Sequence, residues 1–409
     1  MVNKVTHGSS AKPAIPGFTE EGEQLVPLTA PSKAKGGSTQ SRADRPTSFN
    51  VADFDLPGGR EEEWRFTPLK RIKSLLSDEA GDAAALEFST TAPENWVKAP
   101  LAIGAAPRGT AILPADRAAV VGYANTPEAN YISVPAGENS TEPVYVYFKG
   151  QAEGTRVNGH TVIEVGENAS ATIVLEHTGA ADYNGNVEYI VRENASLTVI
   201  SLQLWDDKAK HAAQHDALVY GGGQYRQIAI TIGGDLVRFN ANVRYAGEGG
   251  DARLYGLYYA DAGQHLEHRS FVNHNEPRNA SNVLYKGALQ GDGARTVWVG
   301  DVMIAKNAAG TDSYEKNQNL ILTDGTRADS IPNLEIETGL IEGAGHASTT
   351  ARFDETQLFY LMSRGMDETT ARRLVVRGFL NEIVQQIRIP EIEERIQELL
   401  EQELAISGN

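Results

Sequence analysis

The chain is 409 residues long, carries 37 Lys and Arg against 54 Asp and Glu for a formal charge of −17, and contains no cysteine. At about 150 residues per domain this length accommodates two or three domains and a large core without covalent staples, while the charge disfavours phosphate backbones and anionic lipid as partners. A chain without thiols makes no disulfide, cysteine nucleophile, zinc knuckle or thiolate-held cluster by itself, so any soft-metal chemistry needs a partner's thiols.

Residues 1–48 are rich in Gly, Pro, Ser, Thr and Lys with one aromatic, Phe18, and read as a disordered tail. Residues 1–31 contain no apolar core of a signal peptide, and no stretch approaches the ~18 apolar residues of a membrane span, so a cytoplasmic protein is expected. Residues 49–109 read as an N-terminal helical segment and linker: a turn at Asp55–Arg60, helix from Glu61 to about Leu76, then weak strand signals.

Residues 110–340 read as a β-helix core. Short alternating runs such as Thr161–Val165, Ala171–Leu175 and Leu197–Ser201 are punctuated by Gly, Asn and Asp. Glu167-Asn-Ala-Ser170 recurs 26 residues later as Glu193-Asn-Ala-Ser196, each copy followed by an apolar strand. Later turn-then-strand units lead into Ile228, Leu254 and Val297, giving steps of 26, 29, 26 and 43 from Ile173. A propeller or sandwich turns back every 8 to 12 residues, whereas coils of about 20 to 45 residues stack as a solenoid. Residues 341–409 read as a C-terminal helical domain. An amphipathic helix from Asp367 carries Ala371, Leu374, Val375, Phe379, Ile383, Val384 and Ile387 on one face, and Pro390 starts another with Ile392, Ile396, Leu399, Leu400 and Leu404. Because solenoid coils draw stability from neighbouring coils, the β-helix is expected to stay folded without these helices.

The phosphate loop, the dinucleotide glycine motif, the zinc-protease motif and the serine elbow are absent, so no nucleotide hydrolysis or hydride transfer is indicated. His265-Leu-Glu-His268, with Asp261 and His274, is the densest group of metal-ligand types. Its surroundings read as strands, where residues three apart face opposite sides, so these histidines read as structural or solvent-facing rather than as ligands. His346, in Gly343-Ala-Gly-His-Ala-Ser348, reads as a loop residue beside glycines that allow close backbone approach. Glu335 and Glu337 are the carboxylates close enough in sequence to pair with it.

Four motifs occur in one order: Glu63-Trp-Arg-Phe-Thr-Pro-Leu69, Asn317-Gln-Asn-Leu-Ile-Leu322, Pro332-Asn-Leu-Glu-Ile336 and Gln357-Leu-Phe-Tyr-Leu-Met-Ser-Arg-Gly365. With His274, Ser281 and Arg377-Gly-Phe379 they give a sequence that resembles the SufB/SufD family of iron-sulfur cluster assembly proteins. The likeness is dense from about Tyr259 to Ile387, good again from Arg60 to Leu69, and weak in the tail and first coils. The resemblance implies a mainly β protein: a right-handed parallel β-helix flanked by an N-terminal helical segment and a C-terminal helical domain. It also implies a non-catalytic subunit of an ATP-dependent scaffold. A SufB-like paralogue would pair at the β-helix, and a SufC-like ABC-type ATPase would dock through the C-terminal helices, where Phe359, Tyr360, Arg364, Gly365, Arg377 and Phe379 are the candidate contacts. Within the family, His346 matches an interface histidine that many relatives precede with cysteine; here Gly345 stands there, which fits a split site with a nitrogen ligand from His346 and a thiolate from the partner. The iron-sulfur cluster is then transient and shared, with no cofactor bound by this chain alone. A flavin on the complex and a homodimer of the isolated chain stay open. Within that resemblance, the absence of cysteine implies the SufD-type side of the family rather than the SufB-type paralogue. A β-helix carbohydrate enzyme of the lyase type, or a plain homo-oligomeric solenoid with capping helices, are the alternatives.

Overall fold

A computed structural model of the chain describes residue 41, residues 45–353 and residues 355–406, without the side chains of residues 355–357 and 406. The expected tail thus lies almost wholly outside the described residues. Where residues 45–48 are described they already touch the body: Arg45 lies over the Phe271 ring at 3.8 Å and Ser48 N donates to Pro114 O.

The N-terminal part contributes the single helical turn α1 (Leu69–Ile72), strands β1 (Leu86–Thr90) and β2 (Val97–Ala102), and helix α2 (Arg117–Ala124). Strand β3 (Glu128–Val134) pairs antiparallel with β2 and parallel with the end of β4 (Val144–Val165), whose beginning pairs antiparallel with β1. The coil stack therefore starts after α2 rather than at residue 110. Asp116 explains the helix there, because its carboxylate accepts from Ala119 N at 2.9 Å and caps α2.

From β4 onward the strands form a parallel solenoid of about eight turns, which bears out the expected fold class. They are β5 (Ser170–Val191), β6 (Ser196–Trp205), β7 (Lys210–Val219), β8 (Gln224–Ile232), β9 (Leu236–Tyr245), β10 (Asp251–Ala260), β11 (His265–His274), β12 (Ala280–Leu289), β13 (Arg295–Ile304), β14 (Asp312–Ile321), β15 (Arg327–Ile336) and β16 (Gly343–Arg352). Even-numbered strands from β6 to β16 stack on one side and odd-numbered strands from β7 to β15 on the other, with the long β5 belonging to both. The 26-residue repeat is one coil: Ser170 pairs with Ser196, and Asn168 and Asn194, at φ of 55° and 54°, turn the chain in a conformation asparagine tolerates. The later steps need correcting. Ile173 and Val199 continue through Gln227, Leu254 and Val283, whereas Val297 lies in β13 on the other side, so the step of 43 jumped between sheets.

The interior is packed with aromatic and imidazole rings. His268 stacks on Tyr258 at 4.8 Å, His177 on Phe148 at 4.7 Å, and His274 on Tyr245 at 5.1 Å. His274 Nε2 also pairs with Ser281 Oγ at 2.9 Å. His265 and His268 do face opposite sides of β11, for His265 Nε2 lies 3.3 Å from Glu267 Oε2 on the outer face. Among the described residues, no group of three or more His, Cys, Asp or Glu is arranged to hold a metal ion.

Burial pushes His177 and His274 down to about 4 and His268 to about 3, and holds His211 and His215 well below their ordinary value. The folded state therefore keeps these rings neutral while the unfolded chain protonates them near pH 6.5. Their contribution is intact above pH 6.5 and is lost as pH falls toward about 4, at about 1.4 kcal/mol per pH unit for each group. Asp216 and Glu315, raised to about 6 and about 8, act in the opposite sense but are fewer. Urea unfolding midpoints should drop steeply between pH 6.5 and 4.5; a flat profile would contradict neutral core histidines.

The motif Glu63–Leu69 straps the N-terminal segment to the outer face of the odd-numbered sheet. Trp64 lies under the Arg238 guanidinium at 4.2 Å, and Thr67 Oγ1 donates to Glu267 Oε2 at 2.7 Å. Arg238 pairs with Asp116 and lies 3.4 Å from Glu267, which also accepts from Arg269 Nε at 2.7 Å.

Helices α3 (Glu355–Ser363), α4 (Glu368–Val384) and α5 (Pro390–Ile406) follow the solenoid, and the last two begin where the sequence placed them. Asp367 accepts from Thr370 N to cap α4, and Pro390 opens α5. The buried face of α4 is rotated from the expected one. Ala371, Val376, Leu380, Ile383 and Val384 are buried, Val375 and Phe379 are half-buried, and Leu374 is 46% exposed. The rotation arises because α4 packs on β10 and β12 as well as on α5. Val174, Ile200, Ile228, Ile230, Leu257 and Tyr259 from the even-numbered sheet share one apolar cluster with Leu380, Ile383, Ile396 and Leu400. The helices are thus the cover of a sheet face and not a separable domain. Removing them would strip several side chains worth about 1.5–3 kcal/mol each, so their loss is expected to destabilise the β-helix rather than leave it unaffected. Among the described residues no helix is long and apolar enough to cross a membrane.

Candidate functional site

The solenoid ends on β15 and β16, each hydrogen-bonded, among the described residues, to one neighbouring strand, β13 and β14 respectively. Residues 343–352, expected to belong to the helical part, form this last even-numbered strand. His346 accordingly sits in a strand and not in a loop. The glycines beside it have no positive φ, because the ladder to β14 imposes an extended backbone that overrides the loop-like composition.

Register then decides what His346 faces. It pairs with Glu315, whose side chain alternates inward with Ser313, Asn317 and Asn319. The Glu315 side chain is 0% exposed, that of His346 is 44% exposed, and His346 Nδ1 lies 4.0 Å from Glu315 Oε1. Among the described residues no donor meets either Glu315 oxygen at full hydrogen-bond geometry. Burial first, and the charge of Asp301 second, push this carboxyl up to about 8 against the opposing Asn333 backbone N–H. Glu335 belongs to β15 of the other sheet, and Glu337 accepts from Lys306 N at 3.2 Å, so the carboxylate that faces His346 is not one of the two nearby in sequence. Glu315 escaped sequence reasoning because it lies one coil back; the coil length was the signal that could have found it. His160, His177, His211, His215, His265, His268 and His274 are all buried, leaving His346 as the exposed histidine among the described residues.

A second feature lies on α3 and the turn to α4. Phe359 is 74% and Tyr360 58% exposed, and Met362, Met366 and Leu374 are exposed with them. The Arg364 guanidinium lies over the Tyr360 ring at 5.2 Å and donates to its hydroxyl at 3.2 Å. Gly365, at φ of 93°, makes the turn that no side-chain-bearing residue adopts without strain. Four candidate contacts, Phe359, Tyr360, Arg364 and Gly365, are thus brought together. The other two are placed apart from them: Arg377 is exposed and donates to Gln397 Oε1 of α5 at 2.9 Å, while Phe379 is half-buried beneath the Lys286 ammonium at 4.6 Å.

Comparison with known proteins agrees with this architecture. Residues 148–379 match the family model described as SUF system FeS cluster assembly, SufBD core domain. The chain is 44% identical over 388 residues to an iron-sulfur cluster assembly SufBD family protein of Mycobacterium tuberculosis, covering 93% of this chain and 98% of that one. A SufBD family protein of Mycobacterium leprae is 45% identical over 366 residues, covering 88% and 93%. One from Synechocystis is 25% identical over 399 residues, covering 85% and 87%. A relative this similar along nearly the whole chain, and a core model spanning the solenoid from β4 into α4, mean that the chain belongs to the SufBD family of iron-sulfur cluster assembly proteins.

Proposed function

We propose that the chain is a non-catalytic, SufD-type subunit of a cytoplasmic iron-sulfur scaffold, which pairs with a cysteine-bearing, SufB-like paralogue at the β15–β16 end of the solenoid. The observation that carries this reading is the exposed His346 on an unfinished rung of a chain that has no thiol of its own. An imidazole is a borderline ligand suited to iron, and thiolate must come from across the interface. The cluster is cargo shared between the two chains, and this chain holds no cofactor alone. Family membership sets aside the carbohydrate-enzyme alternative, and the zero cysteine count disfavours a SufB-type role.

A SufC-like ABC-type ATPase would dock on the α3–α4 surface and drive rearrangement of the pair by ATP turnover. Exposed apolar side chains close together along the chain, with Arg364 over Tyr360, suit a protein partner. Co-purification of the tagged chain from its own cells should recover an ATPase and a cysteine-bearing paralogue; recovery of the chain alone, or only as a self-pair, would overturn the reading. Phe359→Asp should remove the ATPase and retain the paralogue. Since the ring is mostly in water, folding stability should change by no more than about 0.5 kcal/mol. Undiminished ATPase recovery in this variant would put the docking surface elsewhere.

A further inference from the structure

We propose that Glu315 is a second ligand, with His346, for a divalent first-row cation, so that this chain offers an oxygen-nitrogen half-site and not a lone imidazole. The inference rests on the reading of His346 given above and adds to it a residue that no sequence motif marks.

The two side chains project from consecutive rungs in register, Glu315 on β14 and His346 on β16. Their 4.0 Å separation is too long for a hydrogen bond, and with metal–ligand bonds of about 2.0–2.2 Å a side-chain shift of about 1 Å or less brings them to the roughly 3.0–3.4 Å between neighbouring ligands of one ion. A wholly buried carboxyl group is ordinarily satisfied by donors, yet among the described residues no donor reaches either Glu315 oxygen at full hydrogen-bond geometry, and the Asn333 backbone N–H is the donor that approaches it. The surroundings are shaped around it. A Cβ on Gly300 would stand 2.4 Å from Glu315 Oε2 and 2.2 Å from the Trp298 ring, so the absence of a side chain at residue 300 leaves the carboxylate its place. No described strand follows β16 in the stack, so a cation reaches the pair from the end face, past the half-exposed imidazole. Carboxylate with imidazole suits ferrous iron and manganese, and the remaining positions fall to water and to groups of the partner.

The test uses the full chain under anaerobic conditions, with Mn²⁺ as probe and the histidine ring resonances as readout. His346, assigned by its loss in His346→Ala, should broaden at sub-stoichiometric Mn²⁺, while the seven buried histidines should not broaden at that level. Glu315→Gln, which keeps the shape and removes the charge, should need at least tenfold more Mn²⁺ for the same broadening. Glu315→Asp, which keeps the charge and withdraws the carboxylate, should behave like Glu315→Gln if the contact is direct ligation. Equal broadening in wild type and Glu315→Gln would overturn the role of Glu315 and leave His346 as a ligand. Wild-type behaviour of Glu315→Asp would overturn direct ligation. Absence of any His346 broadening in the wild type would overturn the half-site together with the reading beneath it.

Discussion

His346→Ala is expected to leave folding and assembly with the paralogue at wild-type yield while cluster content on the complex collapses. The imidazole is half in water on the last rung and contributes little packing, so its removal costs the solenoid almost nothing. Its loss from a metal site is costly, because removing even a group that only supports a metal ligand lowers affinity about 10–100-fold, and a ligand counts for at least as much. Iron and sulfide per complex, measured beside complex yield, separate two readings. If His346 is chiefly an interface contact, yield falls first and cluster content follows in proportion. Ser348→Ala is the control, since Ser348 lies two residues further along the same strand and is also exposed. Wild-type iron and sulfide in the His346→Ala complex would end the case for this histidine as a ligand.

Arg238→Ala is expected to be the most destabilising of the substitutions considered, at about 3–5 kcal/mol, because it leaves two buried carboxylates without their shared cation. Burial by itself raises Asp116, but the Arg238 guanidinium, the Ala119 N–H and Asn240 together hold it below its ordinary value. Burial likewise opposes Glu267, which Arg269, His265 and Arg238 hold well below the usual carboxylate range. The stability these two carboxylates contribute is present above their unfolded values near pH 4 and is lost as pH falls through the lower folded values. In Arg238→Ala the carboxylates lose that support and protonate at higher pH, so the difference from wild type should be largest near pH 7.5 and should shrink by pH 5. The substitution also removes the cation over Trp64, so proteolysis should first release the segment around Glu63–Leu69. A loss below about 1 kcal/mol at pH 7.5 would mean that Arg238 contributes little to holding the strap, which would then rest on Thr67, Arg269 and apolar packing.

The sequence by itself determined the elements whose cause is local or strictly periodic. The coil length was legible because Asn168 and Asn194 supply the same backbone turn one rung apart, and α4 and α5 were legible from a cap, a helix-opening proline and a 3.6-residue apolar period. The opposite facing of His265 and His268 followed from alternation along a strand, and the absence of any thiol followed from composition. Tertiary structure decided the rest. Whether Val297 continued the first stack or began its counterpart depended on which sheet the strand joined, and short apolar strands of both sheets look alike. Which arc of α4 turned inward depended on the sheet face beneath it, because a helix with apolar residues spread over more than one arc has no single burial direction of its own. The pairing of His346 with Glu315 depended on parallel register, which joins residues a coil apart and so is set by hydrogen bonds that no local pattern encodes.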